Sequence, residues 1–155
     1  MREANFGING SVTPDLVNRE TADNGLLTPK LQFSVLSVLI GHNDLVLGGS
    51  VAALETAITS YCQAMQAAGW LVVVSTLLPS TASGFNALRN TFNTWLRANY
   101  TNFANALADP ASDATIGTDA AASNTTYYVD GTHPTTAAGP FLYPYFSNAI
   151  LTLVP

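Results

Sequence analysis

Two runs of the chain are apolar almost without a break, Leu31–Ile40 (LQFSVLSVLI) and Trp70–Leu78 (WLVVVSTLL). Both are short, rich in β-branched residues and bounded by Pro or Gly, which predicts strands. A strand that never alternates with polar residues is one covered on both faces, as in a parallel sheet. Between them lies Ser50–Ala68, rich in helix formers. Its apolar residues Leu54, Ile58, Tyr61 and Met65 fall at i, i+4, i+7 and i+11, on one helical face. Ser50 can cap the start of that helix and Gly69 can end it. Strand, helix and strand in this order make a βαβ unit.

The pattern continues with a second helix over about Gly84–Tyr100, with Phe85, Leu88, Phe92, Trp95 and Leu96 as its apolar stripe. A weak strand follows at Phe103–Leu107. Toward the front, Ala4–Phe6 reads as the end of a strand. Thr13–Glu20 reads as a short helix, with Thr13 as cap and Pro14 as a favourable first residue. Ala108–Thr126 has no periodicity and reads as a loop. A last helix starts near Thr136, and Pro144 is expected to kink or interrupt it. The aromatic residues Phe141, Tyr143, Tyr145 and Phe146 beside it are assigned to core packing, with a site wall as the alternative. The alternation points to one α/β/α domain over residues 1–155, with a parallel sheet whose sites form beyond the carboxyl ends of the strands.

Composition narrows the function. The 155 residues carry 5 Lys+Arg against 10 Asp+Glu, and only 10% are charged where about 25% is usual. Ser, Thr and Asn total 42 and must build much of the surface. That balance suits an extracellular or virion-surface protein, and lineage bias in composition would produce it equally. A net charge of −5 with Arg2, Arg19, Lys30, Arg89 and Arg97 scattered argues against nucleic acid as a partner. The longest apolar runs fall far short of the ~20 residues of a membrane span. No secretory signal is visible at Met1. Cys62 is the only cysteine, which excludes an internal disulfide and a cysteine-based metal site and fits a small buried hydrophobe.

Three loops carry candidate chemistry. Gly41-His42-Asn43-Asp44 follows the first apolar run. An Asn there can aim its side-chain N–H at a developing oxyanion, and an Asp can fix the loop by accepting backbone N–H groups. Taken alone, the motif is also an ordinary polar turn. Asp130-Gly131-Thr132-His133-Pro134 places a carboxylate three residues before an imidazole. The Asp can hold one ring nitrogen while the other faces outward as a general base. Pro134 keeps His133 out of the helix that follows. The plainer alternative is a surface or capping histidine. Near the front, Gly7-Ile8-Asn9-Gly10-Ser11 offers a tight turn and a backbone N–H, too sparse for a dinucleotide fingerprint. With His42 and His133 as the only histidines, no metal site and no cofactor is expected.

The order and spacing of these three segments resemble the SGNH (GDSL-type) hydrolases, serine esterases and acylhydrolases on a flavodoxin-like α/β/α fold. The resemblance runs from about Asn5 to the last helix, and DGTHPT is its most specific part. It implies that Gly10 and Asn43 donate N–H groups to an oxyanion hole. It makes His133 the general base, Asp130 its orienting partner, and Gly41 and Asp44 the residues that shape the loop around Asn43. His42 falls at a position the family varies and receives no role.

The family's first block, a Gly-Asp-Ser that supplies the nucleophile, has no counterpart here. Only nine residues precede Gly10, none of them Ser, and no Gly-x-Ser-x-Gly elbow replaces it. Ser11, Ser50 and Ser75 lie outside the nucleophile context. The resemblance therefore implies an N-terminally incomplete copy that lacks the first, central strand of a 2-1-3-4-5 sheet. The expected function is hydrolysis of carboxylic esters by a Ser-His-Asp mechanism whose serine is absent from this chain. The alternative is a non-catalytic relative that binds an acylated glycan or another small ester in the same pocket.

Overall fold

A computed structural model describes residues 7–24 and 34–154. Its centre is β2 (Leu71–Ser75), whose Val72, Val73 and Val74 are fully buried. β1 (Val35–Val38) lies parallel on one side, with Val35 opposite Leu71 and Val38 opposite Val74. β3 (Ala106–Ala108) lies parallel on the other, with Val73 opposite Ala106 and Ser75 opposite Ala108. The described strands thus form one parallel sheet in the order β1-β2-β3.

Successive side chains of a strand point to opposite faces, and each face of β2 has its own helical cover. On one face Val38, Val72 and Val74 pack with α2 (His42–Val46), α3 (Val51–Ala67) and α4 (Phe85–Asn99) through Leu45, Leu54, Ile58, Met65, Phe85, Phe92 and Leu96. α1 (Thr13–Asn24) packs outside α3. On the other face Val73, Ala106 and Ala108 meet α5 (Gly139–Leu151) through Ala149, with Tyr145, Phe146 and Ile150 around them. This is the three-layer α/β/α sandwich, and it explains why the Trp70 run shows no alternation. A third cluster of Ile116, Ala121, Tyr128 and Ala138, backed by Leu78, Phe141 and Leu142, lies within the segment after β3.

The expected helix on Ser50 is present. The Ser50 Oγ accepts the Ala53 N–H at 3.2 Å, and Gly69 follows with φ 102°. Leu54, Ile58, Tyr61, Cys62 and Met65 are buried as expected. Burial pushes the Cys62 thiol up to about 12.

Other expectations need adjustment. Both strands are shorter than their apolar runs, and residues 31–33 and Ala4–Phe6 lie outside the described residues. The first helix runs on to Asn24. The third strand starts at Ala106, because Phe103 and Ala104 are instead spent in the core after a 3-10 turn at Tyr100–Asn102. The segment read as loop holds two further 3-10 turns, Pro110–Ser112 and Asp119–Ser123. On α4, Leu88 is exposed while Arg89 and Asn93 are buried. The last helix continues through Pro144. Proline removes one N–H four residues past its acceptor, and that acceptor residue, Pro140, is exposed to water. Of the aromatic residues near it, Phe141 packs in the third cluster and Tyr145 and Phe146 against the sheet, while Tyr143 is exposed. No helix among the described residues is long and apolar enough to cross a membrane.

Candidate functional site

Asp130–His133 forms the tip of a short hairpin. The Val129 N–H donates to the His133 carbonyl at 2.9 Å and the Thr135 N–H to the Tyr127 carbonyl at 2.8 Å, with Tyr128 bridged to Pro134. The tip itself is organised by one carboxylate. Asp130 Oδ1 accepts the N–H groups of Thr132 (3.0 Å) and His133 (2.8 Å), and Oδ2 lies 2.8 Å from His133 Nδ1. The His133 backbone N–H and then its ring hold the Asp130 carboxyl down at about 2, so it is ionised at neutral pH. With Nδ1 against the carboxylate, Nε2 is the nitrogen left for chemistry. Both side chains are exposed.

The hairpin is anchored below and beside its tip. Tyr128 is fully buried, and its hydroxyl donates to the Ile116 carbonyl at 2.5 Å; burial pushes that phenol up to about 12. Beside the tip runs the loop between β2 and α4. The Thr81 N–H donates to the Gly131 carbonyl at 2.9 Å, and the Ser80 and Thr132 hydroxyls are 2.8 Å apart. Asn86 clamps that loop through the Ser80 N–H (3.1 Å) and carbonyl (2.9 Å). Gly131 has φ 78°, and a Cβ on it would overlap Thr81. Glycine is needed there for both conformation and space. Sequence reasoning missed Ser80, Thr81 and Asn86, since nothing in a Ser-Thr pair before a helix separates a docking loop from a capping one.

The second side of the site is built on the end of β1. Gly41 turns the chain with φ 117°, and a Cβ there would lie 2.8 Å from the buried Leu54 side chain. Asn43 donates from Nδ2 to the Ser11 carbonyl at 2.9 Å. Asp44 accepts both the Thr13 N–H, at 2.9 and 3.1 Å, and the Thr13 hydroxyl at 2.6 Å. Thr13 therefore gives its hydroxyl to Asp44. These bonds draw the segment containing Gly10, itself at φ 78°, against the Asn43 loop. Asp44 does accept backbone N–H, although from the distant Thr13 and not from its own loop.

His42 links the two sides. Its ring packs on Phe85 with centroids 4.4 Å apart, and Phe85 opens α4 directly after the loop that holds the hairpin tip. Burial lowers the His42 imidazole; the neighbouring His133 adds to that, and Asp130 opposes it. The sequence reading gave His42 no role, yet it stands in the electrostatic field of the His133–Asp130 pair. Of the serines weighed as nucleophile, Ser50 caps α3 and Ser75 is buried and donates to the Thr76 carbonyl at 3.1 Å, while Ser11 is half-buried and accepts the Asn43 side chain on its carbonyl. Arg89 was also missed. Buried on α4, it donates to the Gly117 carbonyl (3.0 Å) and Asp119 (2.7 Å), tying the segment before the hairpin to the helix.

The family model of GDSL-like lipases and acylhydrolases matches residues 1–138. Among solved structures, a GDSL-like lipase from Bacteroides thetaiotaomicron is similar, at 19% identity and a TM-score of 0.72 over 96% of this chain and 75% of that one. TesA is similar at 21% identity and a TM-score of 0.78, over 99% and 79%. The psychrotrophic esterase EstA from Pseudoalteromonas sp., solved with monoethylphosphonate as inhibitor, is similar at 18% identity and a TM-score of 0.69, over 97% and 77%. A comparison with curated protein sequences found no match. The match over most of the chain, on a sandwich of the same architecture, places this protein in the GDSL-like lipase/acylhydrolase family.

Proposed function

We propose that the site serves the hydrolysis of carboxylic esters by a Ser-His-Asp mechanism, with the seryl hydroxyl supplied from outside this sequence. The observation that carries the reading is the Asp130–His133 unit. One carboxylate holds the loop through two backbone N–H groups and the imidazole through Nδ1. In the mechanism His133 Nε2 takes the proton of the seryl hydroxyl as its oxygen adds to the ester carbonyl. Collapse of the tetrahedral adduct expels the alcohol, which receives that proton, and a water molecule repeats the sequence to release the acid. Asp130 stabilises the imidazolium. Asn43, whose Nδ2 carries a second N–H beyond the one given to Ser11, and the Gly10 backbone N–H stabilise the oxyanion. One such donor is worth about 3 kcal/mol of barrier. Gly41 and Asp44 hold the loop that presents Asn43.

The chain contains no Gly-Asp-Ser, and an imidazole–carboxylate pair with no hydroxyl to deprotonate forms no acyl-enzyme. That observation favours a second reading for the chain by itself, an ester-binding relative without turnover. Stopped-flow hydrolysis of p-nitrophenyl acetate separates the two when run on the chain and on a version with a Gly-Asp-Ser strand joined ahead of residue 1. The proposal expects turnover in the extended protein that disappears in His133→Ala, and little or none in the chain alone. A folded extended protein that leaves the ester intact overturns it. Turnover by the chain alone that is lost in Ser11→Ala would assign the nucleophile to Ser11 instead.

A further inference from the structure

Resting on the ester-site reading, we infer that His42 is a specificity-determining residue, contacting a hydroxyl next to the ester and selecting partial esters of polyols. The geometry comes from three elements. His42 opens α2, directly after Gly41 at the end of β1. Its ring lies on Phe85 at 4.4 Å. The loop preceding Phe85 is the one that bonds the hairpin tip through Thr81–Gly131 and Ser80–Thr132. The imidazole therefore stands on the Asn43 loop where it meets the start of α4, packed at a 49° tilt against Phe85, next to the loop that bonds the His133 hairpin.

Its chemistry is unused. The ring makes no hydrogen bond within the described residues, although Asn43 and Asp44 beside it are both engaged. Half-burial lowers its pKa, so at neutral pH it presents one donor and one acceptor. An acyl chain laid against such a ring would strip water from two polar atoms and offer nothing in return. A hydroxyl both donates and accepts, so it can pair with whichever ring nitrogen faces the substrate on either tautomer. A site that hydrogen-bonds a substrate hydroxyl also rejects the analogue that lacks it, because its own polar group is then left unpaired. The exposed Thr81, on the loop before Phe85, and the half-buried Thr132, on the hairpin tip, add hydroxyls to the same side of the molecule. An alcohol moiety with vicinal hydroxyls fits this wall, and a plain alkyl ester does not.

The test is long-range 1H–15N NMR of the two histidines in the full chain, titrated with glycerol 1-monoacetate and separately with ethyl acetate. Both esters should perturb His133, and only the glycerol ester should shift the His42 ring nitrogens. The preference for the glycerol ester over ethyl acetate should be roughly three- to tenfold, the yield of one added hydrogen bond. It should vanish in His42→Phe and persist in His42→Gln, which keeps a donor and an acceptor. If ethyl acetate moves His42 equally, or His42→Phe retains the preference with a native-like spectrum, the inference is wrong while the ester site stands. If neither ester perturbs His133, the ester reading falls and the inference falls with it.

Discussion

At the scale of the residue, Asp130 decides whether His133 is a base or a surface histidine. Its carboxylate accepts two backbone N–H groups and faces Nδ1, and its pKa is held at about 2, below the usual 3.8. A depressed carboxyl contributes stability that is complete above the unfolded-state value near 4 and is lost as pH falls through about 2. The 13C carboxyl resonance of Asp130 should accordingly titrate near pH 2, with the Thr132 and His133 amide resonances moving at the same midpoint. A midpoint near 4 would mean the hairpin tip is not assembled in solution. Much of this unit was legible in the sequence, because Asp-x-x-His-Pro encodes a local turn that needs no distant partner. The His42 contact was not legible. Its partner Phe85 is 43 positions further along the chain, and a residue between Gly and Asn has no periodicity to betray it.

Among elements, the same contrast recurs. The helix on Ser50 was readable to within one residue because its cap, apolar face and terminal glycine agree. On α4 the stripe was misassigned at one position. Arg89 lies four residues after Phe85 and three before Phe92, so spacing put it on the buried face, while its charge argued for the surface. The Gly117 carbonyl and Asp119 resolve the conflict, and both lie in a segment with no pattern of its own. β3 was weak in sequence for a related reason, since its Ala106 and Ala108 are small where α5 approaches and give little β signal. The docking of the hairpin on the β2–α4 loop is testable at this scale. Gly131→Ala would force a Cβ into a left-handed conformation, costing about 1–2 kcal/mol, and into Thr81 as well. Urea unfolding should show that loss, and Thr81→Ala in the same chain should recover only the part due to overlap. Full recovery would mean that the backbone conformation at Gly131 is unstrained for alanine.

For the whole molecule, the two sides of the site are supported differently. β2 has a partner on each side, and β1 is paired only with β2 among the described residues. Yet β1 is the strand whose carboxyl end carries Gly41, His42, Asn43 and Asp44. The loop proposed to stabilise an oxyanion is therefore mounted on an edge strand of the described sheet, while the His133 hairpin rests on its own buried cluster. Protection against amide exchange should follow that difference. Val72, Val73 and Val74 should exchange slowest, through global unfolding, and the β1 amides that point away from β2 should exchange through local opening. Joining a Gly-Asp-Ser strand ahead of residue 1 should slow those outward β1 amides and also steady the Asn43 side chain, while leaving the hairpin bonds of Val129 and Thr135 nearly unchanged. If the outward β1 amides of the original chain are already as protected as those of β2, the edge is occupied without the added strand. The unextended chain would then hold its Asn43 loop without an added strand, and the nucleophile alone would separate binding from turnover.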